Sequence, residues 1–142
     1  MLRVSVAAAA CGMAQRALDA ALVHARTRHQ FGQPLGDFQL IQEKLAIMAI
    51  GLEASRLLTY RAAWQRDQGQ LRNSREVAMA KAHATETAQQ VIDQSLQILG
   101  GQGMLADHPV EHLYRSVRAL RIYEGTTEVQ YLIIAKYLLK GA

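Results

Sequence analysis

The sequence predicts an all-α fold resembling a four-helix bundle, and three observations carry that expectation. Apolar residues recur at intervals of three and four over long stretches, which gathers them on one helical face. Only 2 of the 142 residues are proline, so helices can run without interruption. Aromatic residues make up 6% of the chain while alanine is plentiful, a balance that favours close-packed helices over sheets. Half of the residues are hydrophobic, enough for one core, and the length suits a single domain over 1–142. Four or five helices joined by short loops are expected.

The first helix is expected from near Arg3 to about His29. Cys11, Ala14, Leu18, Ala21, Leu22 and Ala25 form its stripe. Gly12 inside it costs about 1 kcal/mol relative to Ala unless it permits a close helix contact. Gly32, Pro34 and Gly36 then mark a loop. A second helix is expected from Asp37, as cap, to about Gln68, with Ile41, Leu45, Met48 and Leu52 on one face. Gly51 reads as a soft spot. After a loop from Gln68 to Arg72, Asn73 and Glu76 have the spacing of a capping box. The third helix should reach Leu99, its small face formed by Val77, Ala80, Ala84, Ala88, Val91, Ser95 and Ile98. The small faces of the first and third helices suit tight packing on other helices or on another subunit. Gly100, Gly101 and Gly103 end the third helix as a plain C-cap or as a turn that can receive an anion or polar ring edge. Pro109 should open a short helix to Leu120. A last helix from Thr127 to about Lys140 should bury Val129, Leu132, Ile133 and Tyr137.

Charge and composition exclude several function classes. The net charge is +4, but the basic residues are scattered among acids. Arg115, Arg118 and Arg121 form the one cluster, short of the dense patch that nucleic acid requires. Cys11 is the only cysteine, so no disulfide framework exists, which fits a reducing, cytoplasmic setting. Met1 to Ala10 has the charged start and apolar middle of a signal peptide, yet its stripe continues past Cys11 as a buried helix would. No run approaches the ~20 apolar residues of a membrane span. His108 and His112 lie four apart and lack a third ligand, so no metal site is expected.

The stretch with most chemistry is Arg121-Ile122-Tyr123-Glu124-Gly125-Thr126-Thr127-Glu128. Gly125 admits unusual backbone angles and close approach of another molecule. Thr126 and Thr127 are capping types, and Glu128 suits the dipole of the first turn. Glu124 is therefore expected on a loop at a helix N-terminus. It is either a solvated loop acid or a carboxylate facing a pocket. In the second case Ile122 and Tyr123 would desolvate it and raise its pKa towards that of a working base. Arg28 near the end of the first helix either complements the dipole or pairs with a phosphate. Gln39 and Gln42, in the first turns of the second helix, serve a ligand or are merely wet.

Six stretches, taken in order, resemble one family. They are Ala14 to Ala21, Arg28-His29-Gln30-Phe31-Gly32, Gln39-Leu40-Ile41-Gln42, Tyr60-Arg61-Ala62-Ala63-Trp64, Gln97 to Gly103, and Ile122-Tyr123-Glu124-Gly125-Thr126. Together they identify the chain as similar to the C-terminal helical domain of the acyl-CoA dehydrogenases, over Arg3 to Leu139. The resemblance implies α,β-desaturation of an acyl-CoA thioester, with FAD as cofactor. It implies Glu124 as the base for the α proton and the Glu124 main-chain N–H as a donor to the thioester oxygen. Arg28, Gln30, Phe31, Gln39, Gln97, Ile98, Leu99, Gly100 and Gly101 match flavin positions that serve the neighbouring subunit. Thr126, Thr127 and Glu128 match positions beside the flavin of the same subunit. Arg3, Tyr123 and Gly125 match the acyl-CoA pocket.

The sequence also departs from the family. Ser116 stands where relatives often have Asp, and Tyr131 where many have Arg. Leu2 occupies the position that carries the base in some branches, which leaves Glu124 as the candidate. The resemblance further implies an N-terminal helical domain and a middle β-domain, both lying outside this sequence. Two functions follow. One is the base- and flavin-bearing part of a dehydrogenase, acting as a homo-oligomer (dimer or tetramer) or with its other domains on another chain, and passing electrons to electron-transfer flavoprotein. The other is a non-catalytic helical oligomerisation or partner subunit of a split enzyme. The joint presence of Glu124, Arg28 and the Gly100-Gly101 turn favours the first.

Overall fold

The structure, a computed structural model, describes residues 2–70 and 72–140. Five helices dominate: α1 (Leu2–Thr27), α2 (Gln39–Asp67), α3 (Ser74–Leu99), α4 (Pro109–Leu120) and α5 (Thr127–Leu139). Two short strands, β1 (His29–Gln30) and β2 (Gln33–Pro34), pair antiparallel with His29 opposite Pro34. This hairpin occupies the expected loop after the first helix and shortens that helix by two residues. Leu71, within the second expected loop, lies outside the described residues.

The centre of the bundle is α3, which packs against α1, α2, α4 and α5. Its Ala80, Ala84, Ala88 and Val91 are buried, as are Ala7, Ala10, Ala14, Ala17 and Ala21 of α1. Small side chains on both helices let the axes approach closely, and dispersion contacts replace the bulk that larger residues would supply. The small faces are thus spent inside the chain rather than left for another subunit. Instead α2 is two-sided: Met48 and Leu52 are buried, whereas Leu40, Ile47, Ile50, Leu57 and Trp64 are exposed. By length and composition α1 could cross a membrane, contrary to the sequence expectation, but its alanine face is a core face here.

Local details differ from the sequence reading for identifiable reasons. A 3₁₀ turn over Leu35–Asp37 takes up Asp37, and Phe38 stands at the N-cap of α2 without a side-chain bond. Asn73 is the N-cap residue of α3, but its amide donates instead to the Ala62 carbonyl at 2.8 Å. Glu76 does not reach back to close a capping box. It accepts from Arg75 at 2.7 and 2.9 Å. Gly51 is a contact rather than a soft spot, since an added Cβ would meet Thr87 Cγ2 at 3.0 Å. Gly12 has nothing within 4 Å of that position. The largest revision concerns α5. Leu132 is 70% exposed and Val129 44%, while the polar Thr127 and Gln130 are buried. The inward face of α5 is chosen by hydrogen bonds, and its apolar side is left outward.

Burial works to raise the pKa of Glu76, but the Arg75 bonds, its own backbone amide and the charges of Arg75 and Arg61 outweigh it. The carboxylate is therefore favoured in the folded state. Its contribution is full above the ordinary value of 4.5 and is lost as pH falls through the lower folded value. Thermal melts taken from neutrality down through that range should show a smaller acid-induced loss for Glu76→Gln than for the parent. Equal losses would remove Glu76 from the acid response. In the α1–α3 contact, Ala14→Leu should destabilise by about 1–3 kcal/mol through overpacking. On the exposed side of α1, Ala9→Leu should stay within about 0.5 kcal/mol, both read by urea unfolding.

Candidate functional site

The site begins where α4 ends. Ile122 and Tyr123 donate their amides back to the Ala119 carbonyl, closing the last turn of α4. The next two residues, Glu124 and Gly125, both have left-handed backbone, at φ 58° and 88°. Glycine adopts this freely, but for Glu124 it costs on the order of 1–2 kcal/mol. Thr126 then caps α5, its hydroxyl accepting from the Val129 amide. Strain at Glu124 persists because the loop is held from beneath.

Three buried or half-buried groups do that. Lys81, fully buried on α3, donates from Nζ to the Gly125 carbonyl at 2.9 Å. Gln130, also fully buried, donates from Nε2 to the same carbonyl at 2.9 Å and to that of Glu124 at 3.3 Å. Its other end accepts from Arg3 Nη1 at 3.3 Å. Beside this network, Glu86 accepts from Arg121 Nε at 2.8 Å and from the Thr127 hydroxyl at 2.7 Å. Burial holds the Lys81 ammonium below the usual lysine range; Glu86 and Glu128 pull it back up, while Arg121 and Arg3 push it further down. The Glu128 carboxylate is held below its ordinary value by its own backbone amide, then by the Thr126 hydroxyl.

The Glu124 side chain is exposed. Ile122 and Tyr123 are themselves about half exposed and do not wall it off. The desolvation expected of them is therefore not supplied within this chain. Tyr123, Gly125, Thr126, Thr127 and Glu128 flank Glu124 in the chain, and Arg3 reaches the loop through Gln130. Thr127 differs in kind, for its hydroxyl is committed to Glu86 and is buried.

A second cluster lies at the other end of α1. His24, Arg28, Gln30 and Leu35 face Ile98 to Gln102 across an open groove of about 430 Å³. Gly100 there has φ 59°, and its amide folds back onto the Leu96 and Gln97 carbonyls. The Arg28 guanidinium meets no acceptor among the described residues, unlike the paired Arg75, Arg115 and Arg121. His24 is held below the usual histidine range by burial, then by the charges of Arg28 and His108. Phe31 is left-handed, at φ 52°, and 92% exposed, touching Phe38 edge to face at 6.3 Å. Gln39 and Gln97 are exposed nearby in sequence but do not line the groove. The unpaired Arg28 guanidinium, with the Gln30 amide beside it, has the charge and the fork geometry to hold a diphosphate.

The two clusters stand at opposite ends of α1, a 26-residue helix about 39 Å long at 1.5 Å per residue. His108 Nδ1 accepts the Val110 amide at the start of α4. The sequence reading missed Lys81 and Gln130. Lys81 is four residues after Val77 and three before Ala84, on the buried stripe itself. A lysine on an apolar stripe was a readable signal.

Within the loop, Gly125→Ala should destabilise by about 1–3 kcal/mol, because it needs φ 88° and its Cβ would sit 2.7 Å from Gln130 Nε2. Glu124→Gly should melt at or above the parent temperature, since it relieves the left-handed strain. A stable Gly125→Ala together with a weakened Glu124→Gly would contradict the geometry.

A family model described as the C-terminal domain of acyl-CoA dehydrogenase matches residues 1–139. A 3-(aryl)acrylate reductase of Clostridium sporogenes is 49% identical over 138 residues, 97% of this chain and 36% of that protein. The mitochondrial short-chain specific acyl-CoA dehydrogenase of Rattus norvegicus is 48% identical over 141 residues, 99% of this chain and 34% of that protein. Among solved structures, glutaryl-coenzyme A dehydrogenase in its glutaryl-CoA complex superposes with a TM-score of 0.96 at 40% identity, covering 99% of this chain and 36% of that one. The chain spans about a third of the length of these relatives.

Proposed function

Because the chain belongs to the acyl-CoA dehydrogenase family, as its C-terminal helical domain, we propose that it forms the base-bearing part of an FAD-dependent enzyme that desaturates an acyl-CoA between its α and β carbons. The observation that carries this is the exposed carboxylate of Glu124 on a left-handed loop whose two carbonyls are tied down by buried donors.

An α proton beside a thioester is weakly acidic, so the chemistry needs an aimed base and a donor for the oxygen that gains negative charge. Glu124 takes the α proton. Its main-chain N–H donates to the thioester carbonyl, and Gly125 leaves room for the substrate to approach. Substrate and the other domains complete the water exclusion that Ile122 and Tyr123 do not provide. Arg28 pairs with the cofactor diphosphate, with Gln30 and the Ile98 to Gly101 turn beside it. FAD, when bound, supplies the acceptor for the β hydrogen as hydride. An electron-transfer flavoprotein would be the partner that takes up those electrons.

With the base loop near the start of α1 and the groove at its far end, one chain's base and its own groove serve different active sites on this reading. The same reading calls for a homo-oligomer, in which each copy's groove meets another copy's base loop. The exposed stripe of Leu40, Ile47, Ile50, Leu57 and Trp64 on α2 supplies an apolar face for such assembly. A non-catalytic partner subunit would use the same face, but it would have no need of strain at Glu124.

The test is stopped-flow bleaching of oxidised flavin on mixing with acyl-CoA, in an assembly that holds the remaining domains. Glu124→Gln should bind acyl-CoA and bleach at least ~10²-fold more slowly. Bleaching at the parent rate would place the base elsewhere. Arg28→Ala should lose flavin occupancy before chemistry is affected, since its partner is a phosphate.

A further inference from the structure

We infer that Lys81, together with Gln130, is a positioning residue for the base: it fixes the left-handed turn that presents the Glu124 carboxylate and amide. This rests on the proposed role of Glu124. Lys81 is the largest fully buried side chain of the described residues, and it arrives from α3, 44 positions away in sequence. A buried ammonium is costly unless its protons are satisfied. It forms no ion pair among the described residues. Glu86, the nearest candidate by its electrostatic influence, is already bonded to Arg121 and Thr127. The direct partner of Lys81 Nζ is the Gly125 carbonyl.

That carbonyl receives two donors, Lys81 and Gln130, at 2.9 Å each. Both lone pairs are therefore occupied, and the peptide plane between Gly125 and Thr126 is fixed in two directions. Gln130 adds a bond to the preceding carbonyl, that of Glu124, and Arg3 fixes the far end of Gln130. Two consecutive carbonyls are thus pinned on the buried side of the loop. With the carbonyls held, the φ of 58° at Glu124 cannot relax to the right-handed region that its Cβ prefers. Arg3, which sequence resemblance placed in the substrate pocket, acts here as a support for Gln130. A lysine kept only for packing could be replaced by a residue of equal length without a donor.

The experiment uses ¹⁵N-labelled chain and three variants: Lys81→Met, Gln130→Leu and, as a core control that does not touch the loop, Val91→Ala. Amide exchange is measured across Glu124 to Thr127 at matched global stability. Lys81→Met and Gln130→Leu should each speed exchange of the Thr127 amide, which donates to the Arg121 carbonyl, by at least ~10-fold and shift the resonances from Glu124 to Thr127. Val91→Ala should do neither. If Lys81→Met does not fold, Gln130→Leu decides alone. Loop amides that behave as in Val91→Ala would overturn the inference. In the flavin-loaded assembly, Lys81→Met should lower kcat for flavin reduction while KM stays near the parent value, whereas a purely structural lysine would lower the amount of active enzyme alone. Loosened amides with parental bleaching by Glu124→Gln would sink the reading of the base and leave the loop inference standing.

Discussion

The bond from Lys81 to the Gly125 carbonyl ties the middle of the molecule to its most exposed chemistry. It exists because α3 is packed on every side by the other helices, which brings its buried face under the α4–α5 loop. Alanines make that depth reachable: Ala80, Ala84 and Ala88 bring α1 close enough to exclude water around a charged side chain. In such surroundings a hydrogen bond to an ammonium is stronger than at the surface, and leaving it unmade is more costly. The polar core is small but fully connected, running from Arg3 through Gln130 and the loop carbonyls to Lys81. Alongside it, Glu86 joins Arg121 to Thr127.

The same arrangement separates two kinds of chemistry. At one end of α1 a strained, solvent-facing carboxylate is held by buried donors. At the other, an unpaired arginine and a glycine turn line an open groove. Neither end is finished. The carboxylate lacks a wall, and the groove lacks a lid. In the proposed function each is half of a site that a neighbouring copy completes, with the apolar stripe on α2 as the proposed contact between copies.

Much of the fold was legible because it depends on helical period. Met48, Leu52, Ala84, Ala88 and Val91 fall inside as their spacing requires. Pro109 opens α4 and Thr126 caps α5, since both act through local backbone chemistry. What failed depended on contacts distant in sequence. Asn73 and Glu76 have capping-box spacing, but the Ala62 carbonyl, 11 positions back, claimed the Asn73 amide, while Glu76 turned to its neighbour Arg75. On α5 the apolar residues suggested an inward face, and the hydrogen bonds of Gln130 and Thr127 turned it outward. Glu124 and Gly125 stood out from sequence, whereas the strain at Glu124 could not, because it is imposed by one donor 44 positions from Gly125 and another 6 positions from Glu124.

Subunit complementation tests the separation of the two half-sites most directly. Chains carrying Glu124→Gln and chains carrying Arg28→Ala are each assembled with the remaining domains, then dissociated and reassembled together. If base and groove belong to different copies, the mixed assemblies contain sites with both defects and sites with neither, and flavin bleaching by acyl-CoA returns well above either variant alone. If bleaching in the mixture equals the average of the two separate variants, base and groove act within one chain, and the half-site arrangement is wrong.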